Sequence, residues 1–200
     1  TDLVERKGYK YNEIAVLYRA NFQSLYPEEA FLQNKIPFYI QGGSCFYKKR
    51  EIKFLLFYLR VIQDPDCDEA DEALLNILNA PVRYISNKSK AELKEFCDKK
   101  DIHLYQGLKE TRFDTPFIRK NIREFINFMD PLIDAVDTFG PSELLKLLRN
   151  NLDYDRFIVD EDLPTIDDVI IENLNHLQLS AARYNDIKSF LEYTDTFEDS

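Results

Sequence analysis

Glycine is scarce in this chain, five in 200 residues, and with eight prolines it lacks the turn-formers that an all-β protein with many tight loops requires. Cysteine is scarcer still. Cys45, Cys67 and Cys97 are odd in number and widely spaced with no CxxC pair, which argues against a disulfide framework and against a zinc site. The two histidines, His103 and His176, sit far from each other and from the cysteines, so no metal is expected. No apolar run approaches the roughly 20 residues of a membrane-spanning helix, and no signal-peptide pattern opens the sequence. The chain therefore reads as soluble and cytoplasmic, without a membrane partner. A GxxxxGK[ST] phosphate loop and an acidic strand of the Walker B kind are missing too, so this stretch is not expected to hydrolyse a nucleoside triphosphate alone.

What is present is a folded chain. Hydrophobic residues make up 44% and aromatics 14%, too many for a disordered polymer, and the length suits one or two domains. Charge is divided unevenly. Residues 1–100 carry 16 Lys/Arg and 15 Asp/Glu, and residues 101–200 carry 10 and 21, so the net charge of −10 arises as +1 and −11. Contact with nucleic acid, if made, belongs mainly to the first half. The acidic half would repel phosphate unless its few cations were gathered on one face.

The most informative stretch starts at Glu13. Ile14 to Leu17 has the composition of a strand buried in a parallel sheet, and it runs straight into Tyr18-Arg19. The C-terminal ends of such strands are where open α/β sheets place ligands. Tyr18 offers a face for a base and Arg19 a planar fork for phosphate oxygens, which suggests a nucleotide site. The plainer alternative is a core-edge tyrosine beside a surface ion pair. A helix is expected from about Tyr26 to Asn34, with Pro27 in its first turn, then a second strand at 37–41 ending in Gly42-Gly43. Strand, helix, strand would be one right-handed parallel βαβ unit. Next come Phe46, Tyr47, Lys48, Lys49, Arg50 and Lys53, two aromatics and four cations at a helix start. That composition suits a surface tracking a single nucleic-acid strand, or a solvated basic turn with both rings in the core.

In order and spacing, Ala15-Val16-Leu17-Tyr18-Arg19-Ala20-Asn21-Phe22-Gln23-Ser24, Glu28-Glu29, Ile36-Pro37-Phe38, Gly42-Gly43, Phe46, Glu51-Ile52-Lys53, Tyr58-Leu59-Arg60, Asn79, Pro81 and Arg83 resemble the UvrD/Rep/PcrA group of superfamily 1 DNA helicases. The resemblance spans roughly residues 9–83. It implies that Tyr18 stacks on the adenine of ATP and that Arg19 reaches the γ-phosphate across the cleft between two motor domains, with Mg2+ bound mainly by other parts of the protein. It places the basic segment near the DNA path, with Lys49 where relatives usually carry arginine, and it adds Asn79 and Arg83 as candidates for DNA contact. The implied fold is an α/β fragment, mainly α: residues 1–85 an incomplete RecA-like second motor lobe, residues 86–200 an inserted all-helical subdomain. The implied whole is an ATP-dependent helicase moving 3′ to 5′, with single strands and single/double-strand junctions, the remaining motor domains and accessory repair proteins as partners. The later motor motifs of the family are missing, so the piece alone is expected to be inactive. Where many relatives have a Gly-Ile-Gly turn contacting duplex phosphates, this chain has Tyr84-Ile85-Ser86, and close backbone approach there is not carried over.

The remaining sequence reads as helices. Glu51 to Asp64 is apolar over most of its circumference and expected to be buried. Asp64, Asp66 and Asp68 read as a solvated charge cluster ahead of a helix at 69–79, without the glycine and terminal glutamate of an EF-hand loop. Further helices are expected at 88–100, 102–109, 115–129, 131–138, 141–150, 165–182 and 184–195. Two other functional classes remain open: a regulatory or protein-interaction module built on the acidic half, and part of a recombination helicase-nuclease.

Overall fold

The computed structural model describes residues 2–19, 21–41, 46–161 and 167–197. The described residues are mainly helical. A short helix α1 (Asp2–Glu5) and a 3-10 turn at Tyr11–Glu13 precede an extended segment, and a second 3-10 turn, Asn21–Ser24, leads into α2 (Leu25–Gln33). A turn, Phe46–Lys48, feeds α3 (Arg50–Gln63). Then follow α4 (Asp68–Ile77), α5 (Asn87–Lys100), α6 (Leu104–Glu110), α7 (Pro116–Asp134), α8 (Pro141–Asn151), α9 (Tyr154–Glu161), α10 (Asp167–Ala181) and α11 (Ile187–Asp195).

Helix α3 is the axis of the molecule. It packs against α4, α7, α8, α10 and α11, and Ile52, Leu55, Tyr58, Leu59, Val61 and Ile62 are each fully buried. At about 1.5–3 kcal/mol per large apolar side chain removed from water, this one helix supplies a large part of the favourable burial. Around it a continuous apolar cluster runs from Leu25 to Phe197.

The expected βαβ unit is not formed. Residues 14–18 and 36–40 are irregular rather than strand, and among the described residues no sheet pairing occurs. A strand needs a hydrogen-bonded neighbour, and here Val16, Leu17 and Tyr39 stand 48%, 93% and 79% exposed where a buried strand would cover them. The helix between them is present, with Pro27 in its first turn as expected. Gly42-Gly43, expected to close the second strand, lies outside the described residues.

Two helical expectations also change. Helix α7 runs through Pro131 to Asp134 as one element, where the sequence suggested a new helix beginning at that proline. Pro131 falls in the last turn, where the hydrogen bond its missing N–H forfeits is one of the last the helix would make. Helix α9 had no sequence signal. Its partly β-branched and acidic stretch is held by Tyr154 and Ile158, four residues apart and both fully buried.

Candidate functional site

Tyr18 and Arg19 sit at the end of the extended segment and point to the outside: Tyr18 is 39% exposed and Arg19 is exposed. The Arg19 amide donates to Gln23 Oε1 at 2.9 Å, closing the turn that starts α2. No ion pair engages the Arg19 guanidinium among the described residues. Arg19 is thus held at its backbone amide and exposed beyond it.

Helix α2 also anchors a buried polar junction whose inward direction the sequence did not announce. Helix α2 buries two adjacent glutamates, Glu28 at 2% and Glu29 at 5% exposure. Glu28 Oε2 accepts from the Phe46 amide at 3.1 Å, and Glu29 Oε1 accepts from Arg183 Nη2 at 2.6 Å. Arg183 Nη2 also donates to Ser180 Oγ at 2.9 Å, and Ser180 Oγ lies 2.9 Å from the Tyr47 hydroxyl. Glu29 holds the Arg183 guanidinium well above its already high range, so the cation is permanent. Burial pushes the Tyr47 and Tyr193 hydroxyls up, and Glu29 adds to the effect at Tyr193. Both stay neutral around Glu29, as a buried carboxylate requires.

A second chain of bonds continues the junction along α3. Asn173 donates to Glu51 Oε1 at 2.7 Å and accepts from Lys49 Nζ at 3.3 Å, while the Tyr154 hydroxyl donates to the Glu51 carbonyl at 2.7 Å. Helices α2, α3, α9 and α10 and the 46–48 turn are thus tied together by buried polar groups. The signal was in the sequence as adjacent Glu28-Glu29 inside a helix and as Glu172-Asn173. Nothing local says that these acids face inward.

The basic segment divides. Phe46, a candidate for base stacking, is fully buried and meets Tyr47 edge to face, so no base can reach it. Lys49 bonds inward to Asn173 and lies 5.5 Å from the centre of the Phe46 ring. Lys48 and Lys53 are half-buried and Arg50 exposed; Arg50 lies over Phe54 and Lys53 over Phe57, their stems covering apolar surface.

Asn79 and Arg83, candidates for DNA contact, are engaged in internal hydrogen bonds. Asn79 donates to the Ile85 carbonyl at 2.7 Å and accepts from its amide at 2.9 Å, closing the 79–85 loop on itself. Arg83 donates to the carbonyls of Ile77 and Pro81 at 3.0 and 3.1 Å and to the Tyr58 hydroxyl at 2.8 Å, with its guanidinium 4.8 Å from the Phe125 ring centre. These bonds engage both terminal nitrogens of the half-buried guanidinium inside the protein.

Elsewhere, ligand atoms of Asp68, Asp71 and His103 lie within 4.8 Å of one another. Two carboxylates and an imidazole suit a divalent cation in principle. Both Asp71 oxygens already serve the start of α6, accepting from the Leu104 amide at 2.7 Å and meeting His103 Nδ1 at 3.0 Å. That bond holds His103 above its usual range. Asp64 accepts from the Asp66 amide at 3.1 Å, an ordinary turn contact.

The described residues form a helical scaffold with an outward tyrosine-arginine pair, and comparison with known proteins assigns its family. The chain belongs to the UvrD-like helicase C-terminal domain family, whose model matches residues 1–125. Among individual relatives, it is 30% identical over 155 residues to the ATP-dependent DNA helicase Rep of Buchnera aphidicola, covering 76% of this chain and 24% of that protein. It is 37% identical over 132 residues to the ATP-dependent DNA helicase PcrA of Staphylococcus epidermidis, covering 66% and 18%. With PcrA of Staphylococcus aureus the identity is 34% over 126 residues, 63% and 17%. The chain spans about a quarter or less of the length of these relatives. No helix among the described residues is long and apolar enough to cross a membrane.

Proposed function

We propose that this chain is part of an ATP-dependent DNA helicase that translocates 3′ to 5′, and that it presents Tyr18 to the adenine and Arg19 to the γ-phosphate of ATP bound across a motor cleft. The carrying observation is the outward Tyr18-Arg19 pair, pinned at the Arg19 amide and lying within the family match. An arginine contributed across a cleft stabilises charge developing on the transferred phosphoryl group. Neither Tyr18 nor Arg19 ligates a cation, so Mg2+ would be held by other parts of the whole protein. Residues 1–85 would belong to the second motor lobe and residues 86–200 to an inserted helical subdomain. In the assembled lobe, 14–18 and 36–40 would take up strand pairing with motor elements that this chain does not span. Lys48, Arg50 and Lys53 would line part of the path of single-stranded DNA, leading to a single/double-strand junction. The remaining motor domains are the obligatory partners, and accessory repair proteins would act on the acidic half.

The test is Arg19→Ala in the full-length helicase. DNA-stimulated ATP turnover should fall about a thousandfold or more, while nucleotide binding, held largely by Tyr18 and the other lobe, stays measurable. Turnover within tenfold of the unaltered enzyme would remove Arg19 from the chemistry.

A further inference from the structure

The acidic half of the chain gathers its cations. Of the 10 Lys/Arg in residues 101–200, Arg112, Arg119, Lys120 and Arg123 fall within a dozen positions, at and just before the start of α7. On the same stretch Phe117 stands 53% exposed, an unusual state for phenylalanine in a folded protein. Its neighbour in space is Tyr84, 72% exposed, with ring centres 6.0 Å apart and planes at 49°.

Tyr84 is presented by a rigid turn. Its φ is +56°, the left-handed region that a residue with a Cβ occupies at a cost. The turn is fastened on both sides, by the paired Asn79–Ile85 bonds and by Asn121 of α7 donating to the Arg83 carbonyl at 2.7 Å. Strained backbone, fixed by half-buried polar bonds, ends in a ring displayed to solvent. Lys120 and Arg123 are exposed on α7, three and six residues after Phe117, and Lys88 lies in the first turn of α5, four residues after Tyr84. Lys88 and Lys120 are 85% and 71% exposed and meet Glu92 and Glu124 only at 3.7 Å, too loosely to consume their charge.

We propose that Tyr84 and Phe117, flanked by Lys88, Lys120 and Arg123, form a stacking platform for unpaired bases of single-stranded DNA. Two displayed rings beside exposed cations suit a polymer with alternating π-faces and phosphates, and Lys120 and Arg123 supply positive charge locally in a half whose net charge, with them included, is −11. The proposal rests on the DNA-acting reading above but uses none of its residues.

The chain contains no tryptophan, so Phe117→Trp places a single reporter on the platform. Titrating that variant with an oligothymidylate of about 15 nucleotides at low salt should quench and shift its emission, and an equal length of blunt duplex should not. Tyr84→Gly then removes the other ring without risk to the fold, because glycine is at ease at this φ. It should weaken oligonucleotide binding at least about fivefold, the lower bound of one stacked base, and Lys120→Gln with Arg123→Gln should flatten the salt dependence. Unchanged emission, equal binding of duplex, or Tyr84→Gly binding as tightly as the parent would each overturn the platform. Because the readout sits on α7 and involves no nucleotide, it stands or falls independently of the Arg19 experiment.

Discussion

Arg83 turns its charge inward. Its guanidinium joins the end of α4, the 79–83 loop and α3 by reaching the carbonyls of Ile77 and Pro81 and the hydroxyl of Tyr58. Tyr58 in turn donates to the Ala80 carbonyl at 2.7 Å, and burial pushes its hydroxyl up, so it stays a neutral bridge. Hydrogen bonds to a charged group contribute about 1.5–3 kcal/mol each and do not add simply. Arg83→Ala should therefore destabilise the chain by about 2–4 kcal/mol in urea unfolding, and Arg83→Lys should restore less than half of it, since an ammonium cannot serve the divergent acceptors. A variant that unfolds like the parent but loses DNA affinity would return Arg83 to the surface role. Charge at Arg83 was readable from the sequence; its direction was not, because nothing local encodes the carbonyls that converge on it.

At the scale of elements, helices were legible and pairing was not. The apolar circumference of α3 announced its burial, and the stripe Ile118, Ile122, Phe125, Ile126 and Met129 announced the inner face of α7, four of them buried and Ile126 half-buried. Boundaries and α9 depended on contacts distant in sequence, as Tyr154 reaching the Glu51 carbonyl shows. The direction of the polar residues at the α2 junction was unreadable for the same reason: Glu28 and Glu29 look like solvent-facing residues until Phe46 and Arg183 are placed. The packing of α5 on α6 allows a sharp test. A Cβ at Gly107 would lie 2.1 Å from Cys97 Sγ and 3.2 Å from Leu93, with both neighbours buried. Gly107→Ala should cost about 1–3 kcal/mol by overpacking, despite alanine's better helix propensity. Adding Cys97→Ala removes the clashing sulfur, so the double variant should be more stable than Gly107→Ala alone. Thermal melts showing a neutral or stabilising Gly107→Ala would mean that the two helices are further apart than this.

For the whole molecule, the question is what the extended segments are waiting for. Helices close their own hydrogen bonds, which is why this chain keeps a full helical core around α3. A strand cannot, and the amides of residues 15–18 and 38–40 have no backbone partner among the described residues. Leu17 and Tyr39, at 93% and 79% exposure, are apolar or aromatic surface of the kind that pairing and packing normally remove from water. Hydrogen exchange measures this directly. In this chain the amides of 15–18 and 38–40 should exchange near the rate of an unstructured peptide, while those of Leu55 to Ile62 in α3 exchange only through global opening. In the full-length helicase the same seven amides should slow by orders of magnitude, because the lobe supplies their neighbours, and the shielding of 15–18 would fix Tyr18 and Arg19 at a sheet edge facing the cleft. Slow exchange of these amides in the chain by itself would show a partner already within it. Fast exchange in the whole protein would leave Arg19 on a mobile strap, which is incompatible with a group that must meet a phosphoryl oxygen in fixed geometry.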